Sequence, residues 1–327
     1  MYEWLVIGGG IHGCTVASFL LKRGKVRVEK LRIIDPYDEP MYKWKKNTEK
    51  IGMKYLRSPF VHHIDVDPLS LQRFGQKEKW GREHFYGRYK RPSLELFNEH
   101  CNSIIEEVGL LRSWYRGFVT SIKKEQGFWK VMTEDGATIR AQNIVISISL
   151  NNALNIPNWA KQLDLPNQVF HVFEENLANL FSLQPPIMVI GGGITAAHLT
   201  IKLSGMFPGK VILIKRHPFR INDFDSDPGW LGPKYLRCFH ETKDYGDRRV
   251  MIQQARNKGS LTRELFYHLK RLEKDHQIQV MDGEVKSANS NRNQIMLNVG
   301  ERIIKGNCIL LATGFMPSLP GGIGLIR

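Results

Sequence analysis

The chain of 327 residues lacks a closely spaced cysteine pair. Its four cysteines lie 87, 137 and 70 residues apart, which excludes a C-x-x-C redox motif and disfavours both a metal site and disulfide reductase chemistry. No apolar run approaches the roughly 20 residues of a membrane span, and the N terminus has neither a basic region nor a signal-length apolar stretch. We therefore expect a cytoplasmic protein with no membrane span and no bound metal.

Acidic residues are few compared with basic ones. There are 32 Asp+Glu against 47 Lys+Arg, which gives a formal charge of +15. The hydrophobic share of 42% is ordinary for a globular protein, so disorder is excluded, and the length allows about two domains. The positive charge indicates an anionic partner, which could be nucleic acid, an anionic membrane surface or an anionic small molecule.

A glycine-rich turn follows the first short apolar strand. Gly8, Gly10 and Gly13 form the pattern G-x-G-x-x-G before a helical stretch that ends near Arg23. These glycines permit a tight turn, close approach of the backbone to a pyrophosphate, and close packing of helix on strand. The next strand ends in Asp35, where a carboxylate accepts hydrogen bonds from an adenosine ribose and repels a 2′-phosphate. The first motif therefore predicts a site for FAD or NAD rather than NADP.

A second copy of the same pattern occurs in the second half of the chain. It begins with G-x-G-x-x-A, and its second strand ends in a Lys-Arg step instead of an acid. A guanidinium there can pair with the 2′-phosphate of NADPH. Two fingerprints with opposite charges predict FAD in the first site and NADPH in the second. The second site is predicted at Gly191, Gly193, Thr195, Ala196, Lys215 and Arg216.

The segment 43–91 carries 13 Lys+Arg and 5 Asp+Glu, with aromatic residues between them. It is interpreted as a lid or substrate segment over a flat cofactor, as a nucleic-acid surface, or as a solvated insertion. A helix from Ser93 and three strands between 118 and 148 follow, and the segment 151–183 is interpreted as a linker. The apolar strand Cys308 to Leu311 is expected to return the chain to the first sheet. His171 is expected to be a packed side chain.

The order of these signals resembles the two-dinucleotide-domain flavoproteins. Within them it resembles the flavin-dependent monooxygenases that hydroxylate the side-chain amine of lysine or ornithine, and it is similar to a less characterised set of FAD/NAD(P)-binding bacterial proteins. The resemblance implies an α/β fold of three-layer ββα type with two Rossmann-like dinucleotide-binding domains, a FAD domain and an NADPH domain inserted into it. It places a FAD domain at 1–160 plus 303–327 and an NAD(P)H domain at 184–302.

The resemblance also implies particular site residues. Met53, Arg57 and His63 are candidates for the flavin and substrate face, although Met53-Lys54 and Leu56-Arg57-Ser58 stand where the group has Met-Gln and Leu-Lys-Asp. That departure leaves flavin binding in place and the amino-acid substrate open. The FAD residues implied are Gly8, Gly10, Gly13, Asp35, Val119, Thr313, Gly314 and Phe315.

The implied activity is that of an NADPH-dependent monooxygenase with FAD, molecular oxygen and a small nucleophilic substrate. One oxygen atom would reach the substrate from a C4a-peroxyflavin. The alternatives are a flavin reductase or oxidase without oxygen insertion, a nucleic-acid-binding flavoprotein, and a degenerate nucleotide-binding protein; a homo-oligomer is also compatible. Only 12 residues follow Phe315, where the group continues with a strand and a helix, so we expect a truncated C-terminal part with impaired FAD affinity.

Overall fold

The computed structural model describes residues 1–77, 80–149, 152–163, 165–177, 179–291 and 294–316. The chain divides into two compact units. The first unit comprises Met1–Leu154 and the chain from Phe315 onward, and the second comprises Asn155–Gly314. The prediction of a truncated C-terminal part depends on the chain after Phe315, and residues 317–327 lie outside the described residues.

The first unit is built on a six-stranded sheet with helices on one side. Its helices are α1 Ile11–Lys22, α2 Tyr42–Ile51, α3 Ser70–Phe74 and α4 Leu94–Glu107. Its first nine strands are β1 Tyr2–Ile7, β2 Leu31–Asp35, β3 Phe85–Tyr86, β4 Arg91–Pro92, β5 Trp114–Arg116, β6 Val119–Glu125, β7 Phe128–Thr133, β8 Thr138–Ile146 and β9 Ala153–Leu154. The sheet order is β5-β2-β1-β8-β7-β6. β5, β2, β1 and β8 are parallel, whereas β6, β7 and β8 form an antiparallel meander.

The side chains of β1 point alternately into two hydrophobic cores of this unit. Leu5 and Ile7 pack on one face of the sheet with Ile122 and Val131 of the meander. Val6, between them, packs on the opposite face, in the cluster that includes buried residues of α1 and α4. Successive side chains of a strand point to opposite faces, so one strand supplies both layers. The three layers are meander, parallel sheet and helices, and the predicted α/β fold of ββα type is confirmed.

The second unit repeats this plan with a parallel sheet and a separate meander. Its helices are α5 Asn158–Lys161, α6 Ile194–Met206, α7 Pro233–Glu241, α8 Tyr245–Ala255 and α9 Arg263–Lys274. Its strands are β10 Val169–His171, β11 Ile187–Ile190, β12 Val211–Lys215, β13 Arg220–Ile221, β14 Ser260–Leu261, β15 Ile278–Asp282, β16 Val285–Asn291, β17 Gln294–Val299, β18 Arg302–Gly306 and β19 Cys308–Leu311. The parallel order is β10-β19-β11-β12-β15, and β16-β17-β18 are antiparallel. Met188 and Ile309 of the parallel sheet pack with Ile295 and Leu297 of the meander.

Two sequence predictions about connectivity are wrong. β19 does not return the chain to the first sheet, because it pairs with β10 and β11 in the second unit. The segment 151–183 is more than a linker, since it supplies α5 and β10. The chain re-enters the first unit at β20 Phe315–Met316, which pairs with β9.

Candidate functional site

The first glycine loop has the geometry that its sequence predicts. Gly8 has a φ of +101°, and a Cβ added there would lie 2.7 Å from the carbonyl oxygen of Ser147. A Cβ on Gly13 would collide with the carbonyl oxygen of Gly8, so the absence of a side chain lets α1 pack closely on β1. The loop therefore needs glycine at both positions for its own backbone.

Gly10 lies in a different environment. It is the N-cap of α1, its backbone is extended, and no heavy atom lies within 4 Å of an added Cβ. In the described chain no side chain caps this helix, so the N–H groups of its first turn have neither an intrahelical partner nor a side-chain cap. An uncapped helix N terminus beside a small residue offers free N–H groups and space for a pyrophosphate. The residues present fit a dinucleotide.

Asp35 is tied to this loop. Its carboxylate accepts hydrogen bonds from the backbone N–H of Gly9 at 2.6 Å and of Tyr37 at 3.0 Å. Desolvation raises the pKa of Asp35, against the lowering effect of these two bonds. The ring of Trp114 fills the space that a Cβ on Gly9 would need, and its Nε1 donates to the Tyr37 carbonyl at 3.0 Å. Sequence reasoning missed Trp114, whose position depends on β5 pairing with β2.

The second glycine loop reproduces the first one in register. The backbone N–H of Gly191 donates to Ile214 O at 2.9 Å, as that of Gly8 donates to Ile34 O at 2.8 Å. A Cβ on Gly191 would lie 2.6 Å from Ala312 O. Gly193 is the extended N-cap of α6, and in the described chain no side chain caps it. Thr195 and Ala196 lie in the first turn of α6, so the residues fit a second dinucleotide.

The two basic residues at the end of β12 lie in different surroundings. Lys215 is buried, and its ammonium forms an ion pair with Asp282 at the end of β15. Arg216 is exposed. The predicted phosphate-binding pair is thus split: one cation is engaged by a carboxylate and the other faces solvent. Sequence reasoning missed Asp282, because it lies 67 positions from Lys215.

The late A-T-G-F stretch is divided between the units. Thr313 and Gly314 belong to the second unit, where Thr313 O accepts from the Asn155 side chain at 3.1 Å and Gly314 O accepts from the Asn155 backbone at 3.0 Å. His171 is buried and its Nε2 lies 3.0 Å from Gly314 O, so the expectation of a packed side chain is confirmed.

Two further predicted FAD residues lie in the first unit. Phe315 begins β20 and pairs with Leu154. Val119 begins β6, two residues after Gly117, whose backbone N–H donates to Asp35 O at 2.9 Å. The first unit therefore brings Val119 toward the end of the strand that carries Asp35.

Met53 lines a cavity of about 710 Å³ in the first unit. Tyr55, Asn98 and Asn102 also line it, together with Lys45, Glu49, Gly52, Lys54, Glu83, His84, Ser93, Leu94 and Glu95. The two asparagines are four residues apart and share one face of α4. This face is the partly exposed side of the helix.

His63 packs elsewhere. Its ring contacts that of buried His100 with 4.9 Å between centroids, and His100 lies on α4 about 200° around the helix from Asn98. Met53 thus lines the cavity with Asn98, whereas His63 packs against His100. Arg57 is half-buried.

The surroundings of His100 form a buried polar cluster. Ser70 Oγ lies 2.8 Å from His100 Nε2, and Nδ1 is buried without a hydrogen-bond partner among the described residues. Desolvation lowers the pKa of His100 to about 3. Nearby Asp65 is paired with Lys22 at 2.8 Å. Desolvation acts to raise the pKa of Asp65, but hydrogen bonds from Lys22 and Ser70 hold it below its usual range.

Several cations of the basic and aromatic segment 43–91 lie over nearby aromatic rings. These rings lie within the segment or shortly before it: Lys77 is 4.8 Å from the Phe74 centroid and Lys46 is 5.6 Å from the Tyr42 centroid. Further pairs are Lys43 with Tyr37, Lys54 with Tyr55, Lys90 with Phe60 and Arg91 with Tyr86. Such contacts stabilise by about 0.5–1 kcal/mol at exposed sites. Nucleic-acid binding by this segment stays a prediction.

Two features are absent from the described ranges. No helix there is both long and apolar enough to cross a membrane. No group of three or more His, Cys, Asp or Glu side chains in those ranges is arranged to hold a metal ion.

Family comparisons match both parts of the chain. A family model described as FAD-NAD(P)-binding matches residues 5–150. A second, described as L-lysine 6-monooxygenase/L-ornithine 5-monooxygenase, matches residues 97–317. No curated protein sequence matches the chain closely enough to count as a relative.

Solved structures with the same fold include three amine hydroxylases. An ornithine hydroxylase from Pseudomonas aeruginosa superposes with a TM-score of 0.76 at 18% identity, over 98% of this chain and 84% of the other. The FAD-bound cadaverine monooxygenase from Erwinia amylovora gives 0.74 at 15% identity, over 98% and 79%. An ornithine N-hydroxylase from Kutzneria, with reduced FAD, NADP+ and L-ornithine, gives 0.72 at 15% identity, over 98% and 82%.

Proposed function

We propose, since this chain belongs to the L-lysine 6-monooxygenase/L-ornithine 5-monooxygenase family, that it hydroxylates the nitrogen of a small aliphatic primary amine. The chain is a FAD- and NADPH-dependent monooxygenase. The proposed reaction is R–NH2 + O2 + NADPH + H+ → R–NHOH + NADP+ + H2O. NADPH is oxidised, one oxygen atom forms the N–O bond, and the other leaves as water.

The glycine loop of the first unit is proposed to hold FAD. The observation that carries this assignment is the uncapped start of α1 with open space beside Gly10, next to a carboxylate at Asp35. The first-turn N–H groups would bind the pyrophosphate, and Asp35 would accept a ribose hydroxyl. FAD, when bound, takes up hydride from NADPH and activates oxygen, so this chain supplies binding, orientation and exclusion of water.

The glycine loop of the second unit is proposed to hold NADPH. The start of α6 offers the same uncapped N–H groups at Gly193. Arg216, exposed at the end of the second strand, would pair with the 2′-phosphate. This residue would make NADPH the preferred reductant over NADH.

The cavity that Met53 lines in the first unit is proposed to bind the substrate. Three Glu and two Lys side chains line it, so its fixed charge is slightly negative. Such a lining favours a cationic amine over an anionic compound. The relatives by fold act on ornithine and cadaverine, which share an aliphatic primary amine.

The proposal is tested by product analysis with a panel of amines. Purified protein is supplied with FAD, NADPH and oxygen, and then with L-ornithine, L-lysine or cadaverine. We expect one of these to give its N-hydroxy product, with NADPH consumed in equal amount. NADPH oxidation that yields hydrogen peroxide alone with every amine would contradict the proposal and indicate an oxidase. A parallel assay with N-acetylated cadaverine tells whether the second amine is needed for recognition.

A further inference from the structure

Asp35 and Lys215 occupy equivalent positions in the two units. Ile7 pairs with Ile34 and Ile190 pairs with Ile214, so the next residues along the second strands are Asp35 and Lys215. In the first unit this position places a carboxylate beside the glycine loop. In the second unit it carries an ammonium.

Lys215 has its bonding partners within the protein. Its side chain is 4% exposed, and its ammonium is paired with Asp282 and lies 3.4 Å from the carbonyl oxygen of His217. The same ammonium lies 4.5 Å from the centroid of the Phe219 ring. These contacts hold the ammonium at the end of β12 and leave its charge committed to Asp282.

Asp282 is the exposed member of the pair. Lys215 and Asp282 are register partners at the ends of β12 and β15, and the Asp282 side chain is 68% exposed. These parallel strands end at the edge of the sheet where dinucleotides bind. A carboxylate at this edge without a counter-charge would repel a 2′-phosphate and favour a ribose hydroxyl, as the acid does in NAD sites.

We propose that Lys215 sets the preference for NADPH by neutralising Asp282, and that it does not contact the 2′-phosphate itself. Arg216 is then the cation left to pair with that phosphate. This inference rests on the proposed NADPH site of the second unit. It replaces the sequence-based interpretation in which Lys215 and Arg216 bind the phosphate together.

The decisive experiment is a double-mutant cycle on nucleotide binding. Dissociation constants for NADP+ and NAD+ are measured by calorimetry on the FAD-loaded full chain for wild type, Lys215→Met, Asp282→Asn and the double variant. We expect Lys215→Met to reduce the NADP+/NAD+ preference at least tenfold, because Asp282 becomes uncompensated. The double variant should return to within about threefold of wild type. A double variant that stays as low as Lys215→Met would overturn the proposal, since it would show that the lysine contacts the phosphate.

A second arm covers the case in which Lys215→Met does not fold. Asp282→Asn alone should bind NADP+ at least as tightly as wild type, because the local charge becomes more positive. NADP+ binding weakened tenfold by that change would overturn the proposal. Lys210→Met, an exposed lysine that precedes the same strand, serves as the control for loss of one positive charge and should leave the preference unchanged.

The outcomes separate this inference from the proposed function. If the wild-type chain binds neither NADP+ nor NAD+, the proposed NADPH site itself is wrong. If the wild type prefers NADP+ but the double variant shows no recovery, only the role given to Lys215 and Asp282 fails. The ratio of two ligands that differ by one phosphate is insensitive to a general loss of stability.

Discussion

Replacing Gly10 with alanine should separate FAD binding from folding. The Gly10 backbone is extended, a conformation open to any residue, and an added Cβ has no neighbour within 4 Å. Gly10 is the N-cap of α1, where alanine is less favourable than glycine. We therefore expect the apoprotein to lose at most about 1 kcal/mol of stability.

The same substitution should weaken FAD binding strongly. The added methyl group occupies the space through which the backbone approaches the pyrophosphate. Loss of one hydrogen bond to a charged group costs about 1.5–3 kcal/mol. Because 1.4 kcal/mol corresponds to a factor of ten, the dissociation constant for FAD should rise roughly 10- to 100-fold.

Gly13→Ala is the matched control in the same loop. Its Cβ would collide with Gly8 O, so this variant should lose stability even without FAD. The assay combines FAD titration by quenching of flavin fluorescence with thermal unfolding of the apoprotein. Wild-type FAD affinity in Gly10→Ala would refute the reasoning, and so would a loss of apoprotein stability as large as that of Gly13→Ala.

Three further predictions concern other parts of the chain. Gly193→Ala should weaken NADPH binding with little change in FAD binding or melting temperature. The nearest atom to the added Cβ is Gly259 Cα at 3.4 Å, so the substitution causes no severe clash in the protein. Equal losses of NADPH and FAD binding would contradict this prediction. Arg216→Ala should lower the NADPH/NADH preference of flavin reduction, and an unchanged preference would show that the arginine does not bind the phosphate. Desolvation lowers the pKa of His100 to about 3 in the folded chain, whereas an unfolded histidine has a pKa of about 6.5. Between these two pH values the unfolded chain binds a proton that the folded chain does not. The free energy of unfolding should therefore fall by about 1.4 kcal/mol for each pH unit below 6.5. The free energy of unfolding is measured in urea between pH 6.5 and 4.5. His100→Gln should make its dependence on pH shallower, whereas the surface variant His240→Gln should leave it unchanged. Identical pH dependence in His100→Gln and wild type would contradict this prediction.

Local patterns predict the backbone geometry of the two glycine loops well. The positions of Gly8 and Asp35 depend on one strand, one turn and the next strand, and all three lie within 35 residues. α4 was predicted from Ser93, and the structure shows Ser93 as its N-cap, with the side chain accepting from Leu96 N–H. Such features rest on short-range steric and hydrogen-bonding rules.

Long-range pairing was not predictable in the same way. β19 is an apolar strand that suits either parallel sheet, and its membership is settled by pairing with β10 and β11. The partner of Lys215 is a carboxylate 67 residues away, brought next to it by the β12–β15 register. Met53 and His63 are close in sequence, yet Met53 lines the cavity with Asn98 and His63 packs against His100. No periodicity in the sequence contains this information.

The fate of molecular oxygen distinguishes an N-hydroxylating monooxygenase from an oxidase. Protein loaded with FAD is supplied with NADPH, 18O2 and the amine that stimulates NADPH oxidation most strongly, and the products are analysed by mass spectrometry. A hydroxylamine carrying one 18O atom should form for each NADPH consumed. Hydrogen peroxide as the sole oxygen product, with every amine recovered unchanged, would contradict this prediction.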